Sequence, residues 1–285
     1  MENNLVVQSN ELVLAAYTMT TKEKQLLLTC ISRIDSRPDA PNITKQTKFT
    51  VTVEEVAKIF YTDSTKKNAF RDLEQASNRL FDREVLIALE DNKTLRTRFV
   101  SGVLYDPNGE QITITFAEDV LPYLTQLKAN FTKYRLMEVS ELSSIHSMRL
   151  YELIVCWVGQ YQYTKSMDLD DFRYVMGIKG KYKQFGQLRE RVIETAIDEV
   201  NESTNYKITV EYHKKSRGKG YEGLTLKFHR KTLDKLTSAD GTLSQATIQS
   251  IVDNVQFMND YNNHPSLSYD GKMQTDAFKR EMINI

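Results

Sequence analysis

Cysteine is scarce in this chain: Cys30 and Cys156 are the only two, and each lies in an apolar run with helical spacing. Two distant thiols exclude a disulfide framework and a zinc cluster, and they are typical of the reducing cytoplasm. Long hydrophobic runs are also missing, since no apolar stretch approaches the roughly 18 residues that a transmembrane helix needs. The N-terminal sequence MENNLVVQSN lacks the basic segment of a signal peptide. We therefore expect a soluble, cytoplasmic protein without a membrane partner.

The chain carries no net charge, because 38 basic residues balance 38 acidic ones. An even distribution of these charges would argue against a nucleic-acid partner, but the distribution is uneven. Residues 179–231 contain thirteen Lys or Arg and seven Asp or Glu, whereas residues 232–285 contain four and seven. Such asymmetry is typical of a basic binding surface beside a separate polar tail.

Motifs for catalysis are missing as well. No G-x-x-x-x-G-K-[ST] sequence is present, since GIKGKYKQFG (177–186) has glycine and lysine without that spacing. The four histidines form no His-hydrophobic-His pair of the kind that tyrosine nicking enzymes carry. Asp168, Asp170 and Asp171 resemble a metal-ligand cluster, but a capped helix start explains them more simply. We expect no catalytic centre, no metal and no cofactor.

One order of helices and strands occurs twice along the chain. Periodicity and capping boxes predict helices and strands in the first half at 20–34, 48–52, 53–60, 65–81, 84–90, 94–105 and 111–116. Corresponding elements of the second half are predicted at 143–161, 165–169, 169–176, 184–200 and 206–229. The near-constant offset of 116 to 119 residues favours two related domains. A helix followed by a hairpin is the winged-helix arrangement, so the predicted fold is α+β with two tandem winged-helix domains.

Domain boundaries follow from this repeat. The first winged-helix domain is predicted at 1–131 and the second at 143–231, with a linker at 132–142. Residues 232–285 are predicted to form a polar, partly disordered tail.

The hairpin at 206–229 carries the strongest functional signal. Its turn region contains Lys214, Lys215, Arg217 and Lys219 and no acidic residue. Cations at the tip of a hairpin that follows a helix are typical of a wing that grips DNA phosphates. The alternative is an edge hairpin that lysines protect from aggregation, but four cations without an acid exceed that need.

The preceding helix, 184–200, has the pattern of a DNA-reading helix. At 100° per residue its core face consists of Phe185, Leu188, Val192, Ala196 and Val200. Gln184, Gln187 and Arg191 lie on the opposite face, where glutamine pairs with adenine and arginine with guanine. Arg189 lies nearer the core side and is expected to reach a phosphate. The alternative is an ordinary solvated amphipathic helix, and the neighbouring cationic wing favours the DNA interpretation.

The first domain offers fewer cations. Its longer helix begins near Lys66, Lys67 and Arg71, which are candidates for secondary DNA contacts. Its predicted hairpin turns at Asp91-Asn92-Lys93 and has no cationic tip. Either this domain grips phosphate weakly or its sheet serves a partner chain, and the long strand at 94–106 is suited to joining a second subunit.

Three stretches carry a family resemblance: NLVVQSNELVLAAYTMTTKEKQLLL (4–28), HSMRLYELI (146–154) and LRERVIETAIDEVNESTNYKITVEYHKKSRGKGYEGLTLKF (188–228). They resemble the replication initiator (Rep) proteins of iteron-bearing bacterial plasmids that replicate by the theta mode. The resemblance covers about residues 4–230 and leaves out the tail. It implies two winged-helix domains related by a pseudo-twofold axis. It also implies that the C-terminal domain inserts its reading helix into iteron DNA and that the N-terminal domain forms a homodimer.

The expected function is therefore that of a plasmid replication initiator without enzymatic activity. The resemblance implies binding of iterons at the origin, recruitment of the host initiator, helicase and primase, and repression of its own gene by a dimer on an inverted repeat. The expected base-reading residues are Gln184, Gln187, Arg191 and Arg189. The expected phosphate-binding residues are Lys179, Lys181, Tyr182, Lys183, Lys214, Lys215, Ser216, Arg217 and Lys219. The alternatives are a transcriptional repressor without an initiator role and a DNA-nicking enzyme.

Overall fold

The structure, a computed structural model, describes residues 4–41, 43–108, 110–217 and 220–231. The chain divides into two compact units, Met1–Phe228 and His229–Ile285. The first unit contains every element named below except the last two residues of the final strand. The tail predicted at 232–285 lies outside the described residues.

The described helices and strands follow one another in a mixed order. The α-helices are α1 (Asn10–Leu14), α2 (Thr21–Ile31), α3 (Val53–Phe60), α4 (Ala69–Leu80), α5 (Leu136–Ser140), α6 (Ile145–Gly159), α7 (Leu169–Val175), α8 (Phe185–Leu188) and α9 (Thr195–Ser203). A π-helical turn, Arg189–Glu194, joins α8 to α9, and we call the continuous helix 185–203 the reading helix. The strands are β1 (Leu5–Ser9), β2 (Ala16–Tyr17), β3 (Lys48–Thr52), β4 (Glu84–Ala88), β5 (Thr94–Arg98), β6 (Val100–Asp106), β7 (Gln111–Phe116), β8 (Phe131–Arg135), β9 (Thr164–Asp168), β10 (Tyr206–Lys214) and β11 (Tyr221–Arg230). Two 3-10 turns occupy Lys66–Asn68 and Glu118–Tyr123.

The first winged helix consists of α2, α3 and α4 with the antiparallel sheet β3-β7-β6. Both predicted capping boxes are present. The Thr20 hydroxyl accepts a hydrogen bond from the Glu23 amide while the Glu23 carboxylate accepts one from the Thr20 amide, and Thr52 and Glu55 repeat the arrangement. Each cap satisfies amides that the first helical turn leaves without partners, and such a cap contributes about 1 kcal/mol.

The second winged helix consists of α6, α7 and the reading helix with the antiparallel sheet β10-β11-β9. Asp168 caps α7 as predicted, since its carboxylate accepts from the amides of Asp170 at 2.9 Å and Asp171 at 2.7 Å. These bonds engage the Asp168 carboxylate, and the Asp170 carboxylate pairs with Arg173 at 2.9 Å. The predicted α+β fold with two winged helices is confirmed, whereas the symmetry axis that relates them stays a prediction.

The wing of the first domain is not the hairpin that the sequence suggested. In the second domain, the strand after the first helix pairs with the last strand of the wing, which gives the order β9-β11-β10. The corresponding order in the first domain is β3-β7-β6, so its wing is the hairpin β6–β7. The predicted wing at 84–105 was therefore wrong, because β4 and β5 belong to a separate sheet with β2.

The predicted continuous strand at 94–105 is also wrong. It is divided at Phe99, whose side chain is buried, and β5 and β6 on either side of it join different sheets. The Phe99 carbonyl accepts from the Ala117 amide instead of pairing in a ladder. The strand break at Phe99 could not be predicted from the sequence, because the alternation of apolar and polar side chains continues almost unchanged across it.

The N-terminal residues and the predicted linker form a small structure of their own. Strand β1 pairs with β8 in antiparallel register from Leu5 opposite Arg135 to Ser9 opposite Phe131. Most of the segment 132–142 therefore lies in β8 and α5 rather than in an irregular connection. Neither β1 nor β8 was expected, and the predicted domain boundaries stay predictions.

A buried carboxylate joins these parts. Glu152 on α6 is fully buried and forms an ion pair with the buried Lys24 of α2, with 2.8 Å between Lys24 Nζ and Glu152 Oε1. Its oxygens also accept from Tyr134 at 2.6 Å, Gln8 at 3.1 Å and Tyr17 at 3.2 Å. Burial would raise the pKa of Glu152, but Lys24 and Arg149 together with these hydrogen bonds hold it below its usual range. The carboxylate is therefore ionised at neutral pH.

A close backbone approach fixes the loop after α7 against strand β2. Gly177 has φ +67°, and a Cβ atom placed there would lie 1.8 Å from the Tyr17 carbonyl oxygen. The Thr18 hydroxyl donates to the Gly177 carbonyl at 2.8 Å across the same contact. A side chain at this position is excluded both by the backbone conformation and by the lack of space.

We predict that Gly177→Ala lowers the free energy of unfolding by about 2–5 kcal/mol, because left-handed strain and a backbone collision act together. Gly180→Ala is the matched control. Gly180 also has a positive φ, +79°, but an added Cβ would meet no atom within 4 Å. The control is expected to lose only about 1–2 kcal/mol of conformational strain. Urea unfolding of both variants measures the difference, and equal losses would contradict the close approach.

Candidate nucleic-acid interface

The reading helix presents the predicted polar face. Leu188, Val192, Ala196 and Val200 are buried as expected, and Phe185 is half-buried. Gln184, Gln187 and Arg191 are exposed, as a set of base-reading side chains must be. Gln184 stands at the N-cap position and its side chain makes no capping hydrogen bond there.

The middle of this helix departs from the predicted regular α-helix. Residues Arg189–Glu194 form a π-turn, in which hydrogen bonds span five residues rather than four. The Thr195 hydroxyl donates to the Glu190 carbonyl at 2.6 Å, five residues back along the chain. A projection at 100° per residue is therefore valid on each side of this turn but not across it.

Arg189 is held by two acids of its own helix. Its Nη2 lies 3.5 Å from Glu190 Oε1, and its Nε lies 3.4 Å from Glu194 Oε1. The second contact is an ion pair rather than a directed hydrogen bond, because Nε has no hydrogen-bond partner of good geometry. The side chain is 39% exposed. Its predicted contact with DNA therefore requires exchange of these acids for a phosphate or base.

The second half of the reading helix is tied to α6 and β10. The Glu199 carboxylate accepts from the Ser143 amide at 2.5 Å and from the Ser144 amide at 3.4 Å, at the start of α6. The Asn201 amide group donates to the Ile208 carbonyl at 2.9 Å and accepts from the Ile208 amide at 2.6 Å. These contacts set the orientation of the helix relative to the strand that leads into the wing.

The loop before the reading helix presents its three lysines to solvent. Lys179, Lys181 and Lys183 are exposed. Tyr182 has φ +51°, and its carbonyl accepts from Arg173 at 3.2 Å while its hydroxyl lies 3.3 Å from His146 Nε2. Tyr182 thus has a structural role in holding the loop, and its predicted phosphate contact stays a prediction.

The second-domain wing also has an exposed cationic tip. Lys214, Lys215, Ser216 and Arg217 are exposed, whereas Lys219 lies outside the described residues. The Lys215 amide donates to the Gly220 carbonyl at 3.1 Å and closes the turn. Gly220 has φ +118°, a conformation that favours glycine.

An aromatic cluster that the sequence analysis missed connects the wing to the reading helix. The Phe185 ring stacks on Tyr221 with centroids 4.1 Å apart and meets Tyr212 edge-on at 5.2 Å. Tyr212 and Tyr221 belong to opposite strands of the wing. Burial and the charge of Glu194 raise the pKa of Tyr212, so its hydroxyl stays protonated at neutral pH. The flanking of a cationic turn by two tyrosines was the signal that could have indicated this cluster.

The first domain has a different surface. Lys66 and Lys67 are exposed in a 3-10 turn, and Arg71 pairs with Asp72 at 3.2 Å. The turn of its true wing, between β6 and β7, has the sequence of residues 106–110, DPNGE, and carries acids instead of cations. The corrected wing therefore still lacks the positive tip of the second domain.

Features of other protein classes are missing from the described part of the chain. No group of three or more His, Cys, Asp or Glu side chains in it is placed to hold a metal ion. None of its helices combines the length and apolar character that crossing a bilayer requires.

Comparison with known protein families shows to which family this chain belongs. The family model described as "Initiator Replication protein, WH1" matches residues 5–155, and "Initiator Rep protein, WH2" matches residues 168–228. This chain belongs to the initiator Rep protein family. The WH1 match contains the first winged helix and most of α6, and the WH2 match contains α7, the reading helix and the β10–β11 hairpin as far as Phe228.

Individual relatives are distant in sequence. A replication initiation protein of Escherichia coli is 27% identical over 221 residues, which cover 74% of this chain and 66% of the relative. An uncharacterised 27.6 kDa protein of Escherichia coli is 22% identical over 208 residues, covering 70% and 85%. The crystal structure of the Pi initiator protein in complex with iteron DNA is similar with a TM-score of 0.65 at 18% identity, covering 80% of this chain and 98% of that one. At this identity the match supports the fold.

The hydrogen bonds that Glu199 accepts at the start of α6, which we call the Glu199 anchor, predict that the stability of the fold depends on pH. Burial raises the pKa of Glu199, but hydrogen bonds from the Ser143 and Ser147 side chains and from the amides of Ser143 and Ser144 together outweigh this effect, so the pKa lies below its usual 4.5. A carboxyl with a lowered pKa in the folded state stabilises the protein above its unfolded pKa, and this contribution is lost as the pH falls.

Glu199→Gln is therefore expected to lower the urea midpoint at pH ~7 and to have progressively less effect as the pH falls below ~4.5. Glu202 is exposed on the same helix, and Glu202→Gln serves as the control. It should leave the urea midpoint unchanged both at neutral pH and at low pH. A Glu199→Gln effect of constant size across this range would contradict the anchor.

Proposed function

We propose that this chain is a plasmid replication initiator that binds repeated double-stranded DNA sites at an origin. The observation that carries the proposal is the placement of an exposed reading face, Gln184, Gln187 and Arg191, next to a wing with an exposed cationic tip. Membership of the initiator Rep family and the fold shared with the Pi initiator, which was crystallised with iteron DNA, support it.

In the proposed complex the two elements have different tasks. The first turns of the reading helix enter the major groove, where Gln184, Gln187 and Arg191 contact base edges. The cluster of Phe185, Tyr212 and Tyr221 carries the wing with the helix, so that wing cations meet the adjacent phosphates. The phosphate contacts are assigned to the lysines of the preceding loop and to the wing residues Lys214, Lys215, Ser216, Arg217 and Lys219.

In this proposal the chain catalyses no reaction. Asp168, one of the three candidate metal ligands, accepts hydrogen bonds from amides of α7. The protein instead holds DNA in a geometry from which host initiator, helicase and primase act, and it requires no cofactor. Incubation of supercoiled origin DNA with the protein and Mg²⁺ tests this point, because a site-specific nick would contradict it.

The first domain is assigned to dimerisation and secondary DNA contacts. Within the described residues, the outer edges of β5 and β6 pair with no other strand, and Leu104 on β6 is 61% exposed. An open edge with an exposed leucine is suited to a second copy of the chain. A dimer formed there would bind an inverted repeat and repress the gene, while Lys66, Lys67 and Arg71 contact the backbone. Sedimentation with and without an inverted-repeat duplex tests this arrangement.

The proposed division between base-reading residues and phosphate-binding residues predicts two distinct mutant phenotypes. Arg191→Ala should weaken binding to the preferred duplex by about 1–3 kcal/mol and relax the preference at one base pair. Lys214→Ala should weaken preferred and unrelated duplexes alike and reduce the slope of log affinity against log salt by about one. Lys207→Ala, at the base of the same hairpin, is the exposed control.

These phenotypes are measured by competition binding of the full chain to a duplex selected from a random library. An unchanged base preference in Arg191→Ala would overturn the assigned reading face. Loss of sequence preference in Lys214→Ala would overturn the assignment of the wing to phosphate.

A replication assay separates an initiator from a repressor. A replicon that carries only this gene, its flanking repeats and a selectable marker should be maintained after transformation. The Arg191→Ala gene should fail to maintain it, because the origin is no longer recognised. Repression of a reporter without maintenance of the replicon would favour the transcriptional repressor.

A further inference from the structure

The π-turn at Arg189–Glu194 gives the reading helix one residue more than a continuous α-helix would have over the same turns. In an α-helix the core face recurs at i, i+3, i+4 and i+7. Counted from the buried Leu188, these positions are 191, 192 and 195, yet Arg191 and Thr195 are exposed. Of these positions only Val192 is buried, and the next two buried residues are Ile193 and Ala196, at i+5 and i+8. The core face thus continues beyond the π-turn with a shift of one residue.

The additional residue lies on the exposed side. Between Leu188 and Val192 stand three consecutive charged residues, Arg189, Glu190 and Arg191, of which Glu190 and Arg191 are exposed and Arg189 is partly exposed. Leu188 and Val192 are four residues apart, which a regular α-helix also allows, so the extra residue is shown by the π-turn and not by this spacing. The wide turn rotates Gln184 and Gln187, which precede it, relative to the residues that follow it by about 100°, the step of one residue.

Thr195 stabilises the wide turn from the exposed side. Its hydroxyl donates to the Glu190 carbonyl at 2.6 Å. In a regular α-helix that carbonyl would accept from the amide four residues on, at position 194. The Thr195 side chain thus supplies a donor to a carbonyl of the turn where the backbone ladder is irregular, and the residue itself is exposed and outside the core.

We propose that the π-turn determines how the reading face is presented to DNA, with Thr195 as the positioning residue that maintains it. The turn sets the angle at which Gln184 and Gln187, before it, stand relative to Arg191 within it. It also places Arg189 between Glu190 and Glu194. The inference rests on the proposed function, because it concerns the same reading face, and it adds Thr195 to the residues that determine sequence preference.

Two substitutions at one position test the role of the hydroxyl. Thr195→Val keeps the branched shape and removes the donor, whereas Thr195→Ser keeps the donor. Binding of each full-length variant is measured against the preferred duplex, all its single-base variants and an unrelated duplex. Thr195→Val is expected to reduce the ratio of specific to unrelated affinity about three- to tenfold, the scale of one net hydrogen bond. The loss should fall at base pairs that Arg191→Ala also affects, and Thr195→Ser should retain the ratio.

A role in overall stability alone would not produce this result. Binding to the unrelated duplex and its salt dependence should stay unchanged in Thr195→Val, because the wing cations are untouched. Equal losses on all duplexes, or equal profiles for the valine and serine variants, would overturn the proposal.

Deletion of Glu190 tests the turn directly. The deletion places Leu188, Val192, Ile193 and Ala196 at i, i+3, i+4 and i+7, so a regular helix retains the same core. The folded variant should keep salt-dependent binding to unrelated DNA and lose its preference for the wild-type site. Retention of the wild-type preference would overturn the proposal, and if the deletion does not fold, the valine and serine variants decide.

The outcomes also separate this inference from the proposed function. If Arg191→Ala alters the base preference and Thr195→Val does not, the positioning role is wrong and the reading face stands. If Arg191→Ala leaves the base preference unchanged, the reading face itself is wrong.

Discussion

The carboxylate of Glu152 is the point on which the other parts of this fold depend. It lies at the centre of α6, fully buried, and bonds to Lys24 of α2, Tyr134 of β8 and Gln8 of β1. A buried charge is tolerated only when its lone pairs are satisfied, and loss of one partner from such a pair costs about 3–5 kcal/mol. The N-terminal strand, the first winged helix and the first helix of the second must therefore assemble together. The stretch HSMRLYELI, which carried part of the family resemblance, contains both Glu152 and Arg149 of this network.

The two winged helices share a topology and differ in the surfaces they present. Each pairs its first strand with the far strand of its wing, as β3 with β7 and β9 with β11. The second wing carries lysine and arginine at its tip, whereas the turn of the first, 106–110, carries acids. Because phosphate binding depends on cations at the tip and strand pairing on an open edge, we propose that one topology serves two tasks. The extra hairpin β4–β5 belongs to the first domain alone.

Local features were predictable from the sequence and long-range pairings were not. The caps at Thr20, Thr52 and Asp168 depend on residues within three positions, and each is present. The first wing was misassigned because two hairpins follow α4, and strand periodicity does not state which one pairs with β3. The burial of Phe99 that separates them comes from packing against distant residues. The reading face was found from a regular helical projection, which does not include the wide turn at Arg189–Glu194.

By itself the sequence determined the two-winged-helix plan, the cationic tip after β10 and the polar face of the reading helix. These features follow from periodicity, helix caps and charge within short windows, because they depend on interactions between residues that are close in sequence. Only the tertiary structure decided the true wing of the first domain, the pairing of β1 with β8 and the contact of Gly177 with Tyr17. It also decided the wide turn at Arg189–Glu194, which a regular helical projection does not contain. These features depend on which segments distant in sequence come into contact. Strand pairing and steric collisions between such segments arise only after the chain has folded.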